Sequence, residues 1–233
     1  MLSVRGLNAY YGRAHILTDV ALEVATGEVV VLLGRNGAGK STTLKSIIGL
    51  VRPASGEIEF DGRRIDGREP YEIAQAGLGY VPEDRRIFTE LTVLENLEVG
   101  RQPPRPNAPA WTAEKVFGLF PNLAAMPDRA GGRTSGGEQQ MLTIARTLMG
   151  NPSCVLLDEP SEGLAPVIID QMARTIRALK REGLSVLLSE QNLRFATEVS
   201  DRAYIIEKGQ MRFAGTMAEL AANAGVRAQY LAV

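Results

Sequence analysis

Three groups of residues in this chain have types and spacings that could do chemistry. Gly34, Gly39, Lys40 and Ser41 fill the pattern G-x-x-x-x-G-K-[ST] within Val29 to Thr42, VVVLLGRNGAGKST. An apolar run, Val29 to Leu33, precedes the glycines, and an apolar-periodic stretch through Leu44, Ile47 and Ile48 follows Thr42. Strand, glycine loop and helix in that order are the setting in which this pattern cradles phosphate. Glycines let backbone N–H groups of the loop, Gly34 through Asn36, Gly37, Ala38 and Gly39, turn toward an anion, and the helix N-terminus adds partial positive charge. Lys40 is expected to reach the β- and γ-phosphates and the Ser41 hydroxyl to ligate Mg²⁺. The second group is Asp158-Glu159, at the exit of the apolar run Cys154 to Leu157, where carboxylates suit a Mg²⁺ contact and a base for water. The third is Ser135-Gly136-Gly137-Glu138. Ser135 and Glu138 have capping-box spacing, and the glycine pair bares further N–H groups at a helix start, a second anion site. Together these groups predict binding of a nucleoside triphosphate.

The elements that must position them read as alternating strands and helices, which argues a parallel α/β sheet. Leu2 to about Val24 alternates as antiparallel strands split at Tyr11-Gly12, with Tyr10 and Tyr11 placed where an aromatic could stack on a base. Glu57 to Phe60 and Leu78 to Val81 read as strands, the second ended by Pro82. From Thr89 to about Met126 the texture changes to helical stretches, Val93 to Val99 and Ala113 to Phe120, around a proline-rich loop, Gln102 to Pro109, expected to be exposed and mobile. A helix from Ser135 to about Met149, a helix near Val167 to Arg181, a strand Ser185 to Leu188, a helix near Arg194 to Val199 and a strand Tyr204 to Ile206 follow, then a turn at Lys208-Gly209-Gln210, a last strand and two short helices. The expected division is one domain over 1–233, with 1–88 and 151–233 as core plus β subdomain and 89–150 as a helical subdomain.

At 233 residues, with 26 Lys and Arg against 27 Asp and Glu, the chain is large enough for a sizeable core and has a net charge of -1. That balance gives no global field for nucleic acid or an anionic membrane, and no nucleic-acid partner is expected. The single Cys154 excludes an intrachain disulfide and reads as a buried small hydrophobe. His15, the only histidine, reads as a solvated loop residue, and Trp111 as packing. No apolar run approaches the ~20 residues that cross a bilayer, and no basic, then apolar leader is evident. The expectation is a soluble, cytosolic chain whose membrane role comes through a partner.

Taken together, the motifs resemble the nucleotide-binding subunit of an ABC transporter, over essentially the whole chain. Gly34 to Thr42 matches the Walker A motif, Val155 to Glu159 matches Walker B with the catalytic glutamate, and Ser135-Gly136-Gly137-Glu138-Gln139-Gln140 matches the family signature. The resemblance implies an α/β fold: a P-loop NTPase core with a parallel sheet, an antiparallel β subdomain and an inserted helical subdomain. It further implies ATP and Mg²⁺ as cofactors, with Tyr11 on the adenine, Asp158 holding the Mg²⁺ shell and Glu159 polarising water. Ser135, Gly136 and Gly137 would meet the ATP of an opposite subunit in a head-to-tail dimer. Four positions depart from the commonest family pattern: Glu83 for the switch glutamine, Gln191 for the switch histidine, Ala165 for a D-loop aspartate and Thr134 for the leucine before the signature serine. Glu83 would then add a negative charge beside Mg²⁺, and Gln191 would contact the γ-phosphate.

Glu83, Gln191 and Ala165 together resemble the ATPases of branched-chain amino-acid importers and of the related urea and short-chain amide importers, in which two different ATPases commonly serve two different permeases. The chain looks like the shorter of the two. Its expected partners are membrane permeases and a second ABC ATPase, as a heterodimer or a homodimer, with a solute-binding protein acting indirectly. Its expected place is the cytoplasmic face of the membrane. Two competing readings are a soluble ABC ATPase of repair or translation, against which stand the single nucleotide domain and the net charge, and a non-hydrolysing scaffold, against which stand Lys40, Asp158 and Glu159.

Overall fold

In the computed structural model, which describes residues 1–106 and 108–231, the strands are sorted into two sheets. The amino-terminal alternation forms β1 (Leu2–Tyr11) and β2 (Ala14–Val24), paired antiparallel. Strand β3 (Val29–Leu33) leaves them for the second sheet, while β4 (Ser55–Phe60) and the short β5 (Arg63–Arg64) complete a four-stranded sheet in the order β2-β1-β4-β5. The second sheet holds β6 (Leu78–Val81), β7 (Cys154–Asp158), β8 (Ser185–Glu190), β9 (Arg202–Glu207) and β10 (Gln210–Thr216) in the order β10-β9-β3-β8-β7-β6. All its pairings are parallel except β10 on β9.

Every residue of β3, β7 and β8 is buried, which explains why these strands read as continuous apolar runs rather than alternations. Successive side chains still point to opposite faces. Val29, Val31 and Leu33 join Val155, Leu157, Val186 and Leu188 in one core, and Val30 and Leu32 join Leu156 and Leu187 in the other. The second core also takes Leu44 and Ile47 of α1 (Lys40–Ile47) and the inner face of the four-stranded sheet. Helix α2 (Pro70–Ala76) was not among the expected elements, although Pro70 at its first turn and the Glu69–Glu72 capping box mark it.

Between β6 and β7 the chain is helical: α3 (Val93–Val99), α4 (Ala113–Leu119), α5 (Pro121–Ala124), a single 3-10 turn at Gly131–Arg133 and α6 (Gly136–Leu148). The buried Asn96 side chain secures the entry to this region, donating to the carbonyls of Phe88, Leu91 and Thr92 and accepting from the Phe88 N–H. Trp111 is buried, as expected of a packing residue. The proline-rich loop is largely exposed, as expected, and one of its side chains ties it to the rest of the fold. The Arg105 guanidinium donates to the carbonyls of Asn151, Ala74 and Gln75, tying the loop to α2 and to the turn before β7. Asn107 of that loop lies outside the described residues. After β7 come α7 (Pro166–Arg181), α8 (Leu193–Val199), α9 (Met217–Ala222) and α10 (Ala224–Tyr230). Among the described residues no helix is long and apolar enough to cross a membrane.

Candidate functional site

The carboxyl ends of β3, β8, β7 and β6, neighbours in that order, deliver the candidate residues to one edge of the sheet. Ligands of open parallel sheets bind at such an edge. Strand β3 runs into the glycine loop, and α1 begins at Lys40 with Gly39 as its N-cap at φ 113, a left-handed backbone that disfavours any side chain. A Cβ on Gly39 would also lie 2.8 Å from Leu17 Cδ2, and one on Gly34 would lie 2.5 Å from the Ile206 carbonyl oxygen. Glycine is therefore required at both ends of the loop on steric grounds. No side chain caps α1, so its first N–H groups are left for a ligand.

Lys40 turns back over the loop and donates to the carbonyls of Gly34 at 2.8 Å and Arg35 at 3.1 Å. Its ammonium also pairs with Glu159 Oε1 at 3.0 Å, with the two side chains only 2% and 6% exposed. Glu159 follows the last residue of β7 with φ 46, an uncommon conformation for glutamate, held by its N–H bonding to the Ser189 carbonyl and hydroxyl. Gln191 Nε2 donates to its other oxygen at 2.9 Å. Burial opposes the Glu159 charge, yet hydrogen bonds with Glu162, Lys40 and Gln191 and the nearby ammonium hold its carboxyl below the ordinary glutamate range. Its neighbour shifts the other way: the hydrogen bond with Glu159, burial and the carboxylates of Glu159 and Glu83 push Glu162 up to about 7. Near neutrality Glu159 is ionised beside a Glu162 that is in mid-titration.

Asp158 is fully buried and accepts three hydroxyl bonds, from Ser41 at 2.9 Å and Ser189 at 2.7 Å on Oδ1 and from Tyr80 at 3.1 Å on Oδ2. Burial, then the Asp158 carboxylate, raise the Tyr80 phenol, which stays protonated and therefore a donor. Buried Glu190 accepts from the N–H groups of Ser161, Gln191 and Asn192, fixing the turns after β7 and β8, although burial raises its own pKa. Tyr80, Ser189, Glu190 and Glu162 were not identified from the sequence.

The structure thus joins Lys40, Ser41, Asp158, Glu159 and Gln191 in one hydrogen-bonded group, with Thr42 buried behind them. Asn36 and Gly37 are exposed in the loop, and Ala38 is buried. Glu83 is exposed and shares a cavity of about 200 Å³ with Lys45, Tyr80, Asp84, Arg86 and Asp158. The segment after it is tied to α6, because Thr143 donates to the Arg85 carbonyl and Arg146 to that of Arg86. Tyr11 is 50% exposed on the strand face shared with buried Ala9, whereas Tyr10 stacks on His15 at 4.2 Å on the opposite face.

Ser135 caps α6 in a reciprocal pair with Glu138. Among the described residues no hydrogen bond joins Ser135, Gly136 or Gly137 to the glycine loop. A Cβ on Gly136 would lie 2.7 Å from the Arg85 guanidinium, and one on Gly137 2.9 Å from Ile168. Thr134, at the position where a leucine is usual, is buried and donates to the Gly131 carbonyl at 2.7 Å, so its hydroxyl is satisfied within the 3-10 turn.

A glycine loop, a lysine at a helix start and adjacent carboxylates at parallel strand ends define a P-loop ATPase. The ABC transporter family model matches residues 17–162, more than half of the chain. The high-affinity branched-chain amino acid transport ATP-binding protein BraG of Pseudomonas aeruginosa is 45% identical over 231 residues, 99% of both chains. The lipopolysaccharide export system ATP-binding protein LptB of Haemophilus influenzae is 36% identical over 233 residues, 99% of this chain and 97% of LptB. A crystal structure of an ABC transporter cassette in its ADP conformation superposes with a TM-score of 0.82 at 28% identity, covering 96% of this chain and 93% of that one. A nucleotide-free cassette gives 0.84 at 27% identity, covering 98% and 97%. The chain belongs to the ABC transporter family, as an ATP-binding cassette with ATPase activity.

Proposed function

We propose that this chain is the ATP-hydrolysing motor of a membrane importer for branched-chain or other hydrophobic amino acids. The observation that carries the reading is the end-to-end 45% identity with BraG, a branched-chain amino acid transport ATP-binding protein. The joint occurrence of Glu83, Gln191 and Ala165 supports it. On this reading the loop from Gly34 through Asn36, Gly37, Ala38 and Gly39 to Lys40 and Thr42 binds the phosphates of ATP, and Tyr11 stacks on the adenine. Glu159 polarises the attacking water and Gln191 contacts the γ-phosphate.

Mg²⁺ fits the residues present: a buried carboxylate on Asp158, 2.9 Å from the Ser41 hydroxyl, offers the hard oxygens this ion selects. Among the described residues no cluster of three acidic, histidine or cysteine side chains stands ready to cage a metal by itself. That suits an ion held by one or two protein groups and by phosphate oxygens. Ser41, Asp158 and Glu83 are the proposed holders, and the bound ion would neutralise charge on the phosphates. Residues 89–150 act as a helical subdomain that carries Ser135, Gly136 and Gly137 to the ATP of a second ABC ATPase subunit, in a heterodimer or homodimer. That dimer sits on permeases at the cytoplasmic face of the membrane and serves a solute-binding protein indirectly.

A second reading is lipopolysaccharide export, favoured by the 36% identity with LptB over nearly the whole chain. A third is the uptake of urea or short-chain amides. The deciding experiment purifies the chain with its permeases in lipid nanodiscs and measures ATP turnover with a leucine-loaded binding protein, a urea-loaded one or lipopolysaccharide. Stimulation by the leucine-loaded protein alone is expected. Stimulation by lipopolysaccharide or urea alone would replace the reading with the corresponding alternative.

A further inference from the structure

Tyr80 lies at the junction of two cavities. It lines a groove of about 510 Å³ with Tyr71, Gln75, Phe88, Val99 and Arg146, and it lines the smaller cavity that Asp158 and Glu83 enter. Among the described residues its hydroxyl is the one donor on Asp158 Oδ2, at 3.1 Å, whereas Oδ1 receives both Ser41 and Ser189. Among the described residues no lysine or arginine pairs with Asp158, so three neutral hydroxyls hold this buried carboxylate. Two oxygens bonded from one side only would leave the carboxylate free to rotate about its terminal bond. A donor on each oxygen fixes the plane.

We infer that Tyr80 is a positioning residue, which sets the Asp158 carboxylate for the divalent cation of the bound nucleotide. The inference rests on the reading of Asp158 as a holder of that cation. Magnesium-type ions demand near-octahedral geometry, so a carboxylate that swings loses more in orientation than it gains in basicity when the phenol is removed. The substitution Tyr80→Phe removes the oxygen alone and keeps the ring in the wall of the groove.

The test measures Mn²⁺ affinity by electron paramagnetic resonance, with a non-hydrolysable ATP analogue, for the unmodified chain, Tyr80→Phe and Asp158→Asn. Binding of the analogue in EDTA and the melting temperature are read in parallel. Loss of a hydrogen bond that orients a metal ligand costs on the order of tenfold in affinity. Tyr80→Phe is expected to weaken Mn²⁺ by about that factor, with analogue binding in EDTA and the melting temperature unchanged, and Asp158→Asn to weaken Mn²⁺ at least as much. Unchanged Mn²⁺ affinity in Tyr80→Phe with a loss in Asp158→Asn would overturn the role of Tyr80 and leave that of Asp158 standing. Unchanged affinity in both would overturn the cation reading itself. A parallel loss of metal-free analogue binding or of melting temperature in Tyr80→Phe would mark a packing role and also overturn the inference.

Discussion

Glu159→Gln should tighten nucleotide binding to the isolated subunit, and for a reason visible before any nucleotide arrives. Lys40 and Glu159 form a buried ion pair at 3.0 Å, so a phosphate that claims Lys40 must first separate it from the carboxylate. At an effective dielectric of ~20, two unit charges at that distance attract by roughly 5 kcal/mol. A glutamine oxygen in the same place still accepts a hydrogen bond from the ammonium, worth about 1.5–3 kcal/mol, so the difference between the two side chains is about 2–3.5 kcal/mol. The carbonyls of Gly34 and Arg35 hold Lys40 in either case and cancel in the comparison. Because each 1.4 kcal/mol is a factor of ten, binding should strengthen by roughly thirty- to three-hundredfold. The assay is a fluorescence titration with a labelled ADP, at protein concentrations where the subunit is monomeric. ADP is chosen because it lacks the γ-phosphate, so neither relief of γ-phosphate repulsion nor closure of an ATP dimer contributes. Glu159→Gln should also abolish turnover and hold an ATP-bound dimer. An ADP affinity equal to that of the unmodified chain would refute the claim that the ion pair restrains Lys40.

Three further outcomes concern Glu162, His15 and Gln191. Glu162 has its pKa raised from the ordinary 4.5 to about 7 in the fold, by Glu159 and Glu83 against a partial offset from Lys40, so the folded chain binds more protons than the unfolded one between those values. Stability of the nucleotide-free chain should therefore fall as pH rises from about 5 to about 8, and Glu162→Gln should flatten that fall in thermal melts. His15, stacked on Tyr10 and bonded to Asn8 in the β1–β2 hairpin, should leave the pH–rate profile unchanged when replaced by alanine, while Gln191→Ala, which frees one Glu159 oxygen, should slow hydrolysis.

The parts of the site that were legible are those whose chemistry and geometry are local. The loop between β3 and α1 announces itself because an apolar run, fixed glycine spacing and Lys40-Ser41 are contiguous, and Asp158-Glu159 because two carboxylates end a buried run. What was not legible depends on which strands lie side by side. Ser189 reaches Asp158 because β8 pairs in register with β7, and Tyr80 reaches it because β6 flanks β7 on the other side. Nothing in the run Leu78 to Val81 distinguishes a tyrosine that packs from one that orients a carboxylate. Arg105 was missed for a related reason: a proline-rich stretch signals an irregular backbone, and its tie to Ala74, Gln75 and Asn151 is made by a side chain. Helix α2 is different, since its proline and paired glutamates were present to be read.

On the proposed reading, the site neutralises itself with the groups that would serve the ligand. Lys40, placed to meet phosphate, is balanced by Glu159, and Asp158, placed to meet a cation, is balanced by the hydroxyls of Ser41, Ser189 and Tyr80. Binding would then be an exchange of partners: a phosphate would take over Lys40, and a cation would take over a share of Asp158. The exchange is nearly balanced for Asp158, because a hydroxyl such as that of Ser41 can offer its oxygen to the cation while its proton still faces the carboxylate. It is unbalanced for Glu159, which loses its ammonium and gains a phosphate of like charge as neighbour. On that reading the carboxylate would become more basic where the attacking water is to be activated, with the Gln191 amide still donating to it. On that reading the buried ion pair would restrain nucleotide binding and would keep Glu159 ionised and buried until the substrate released it.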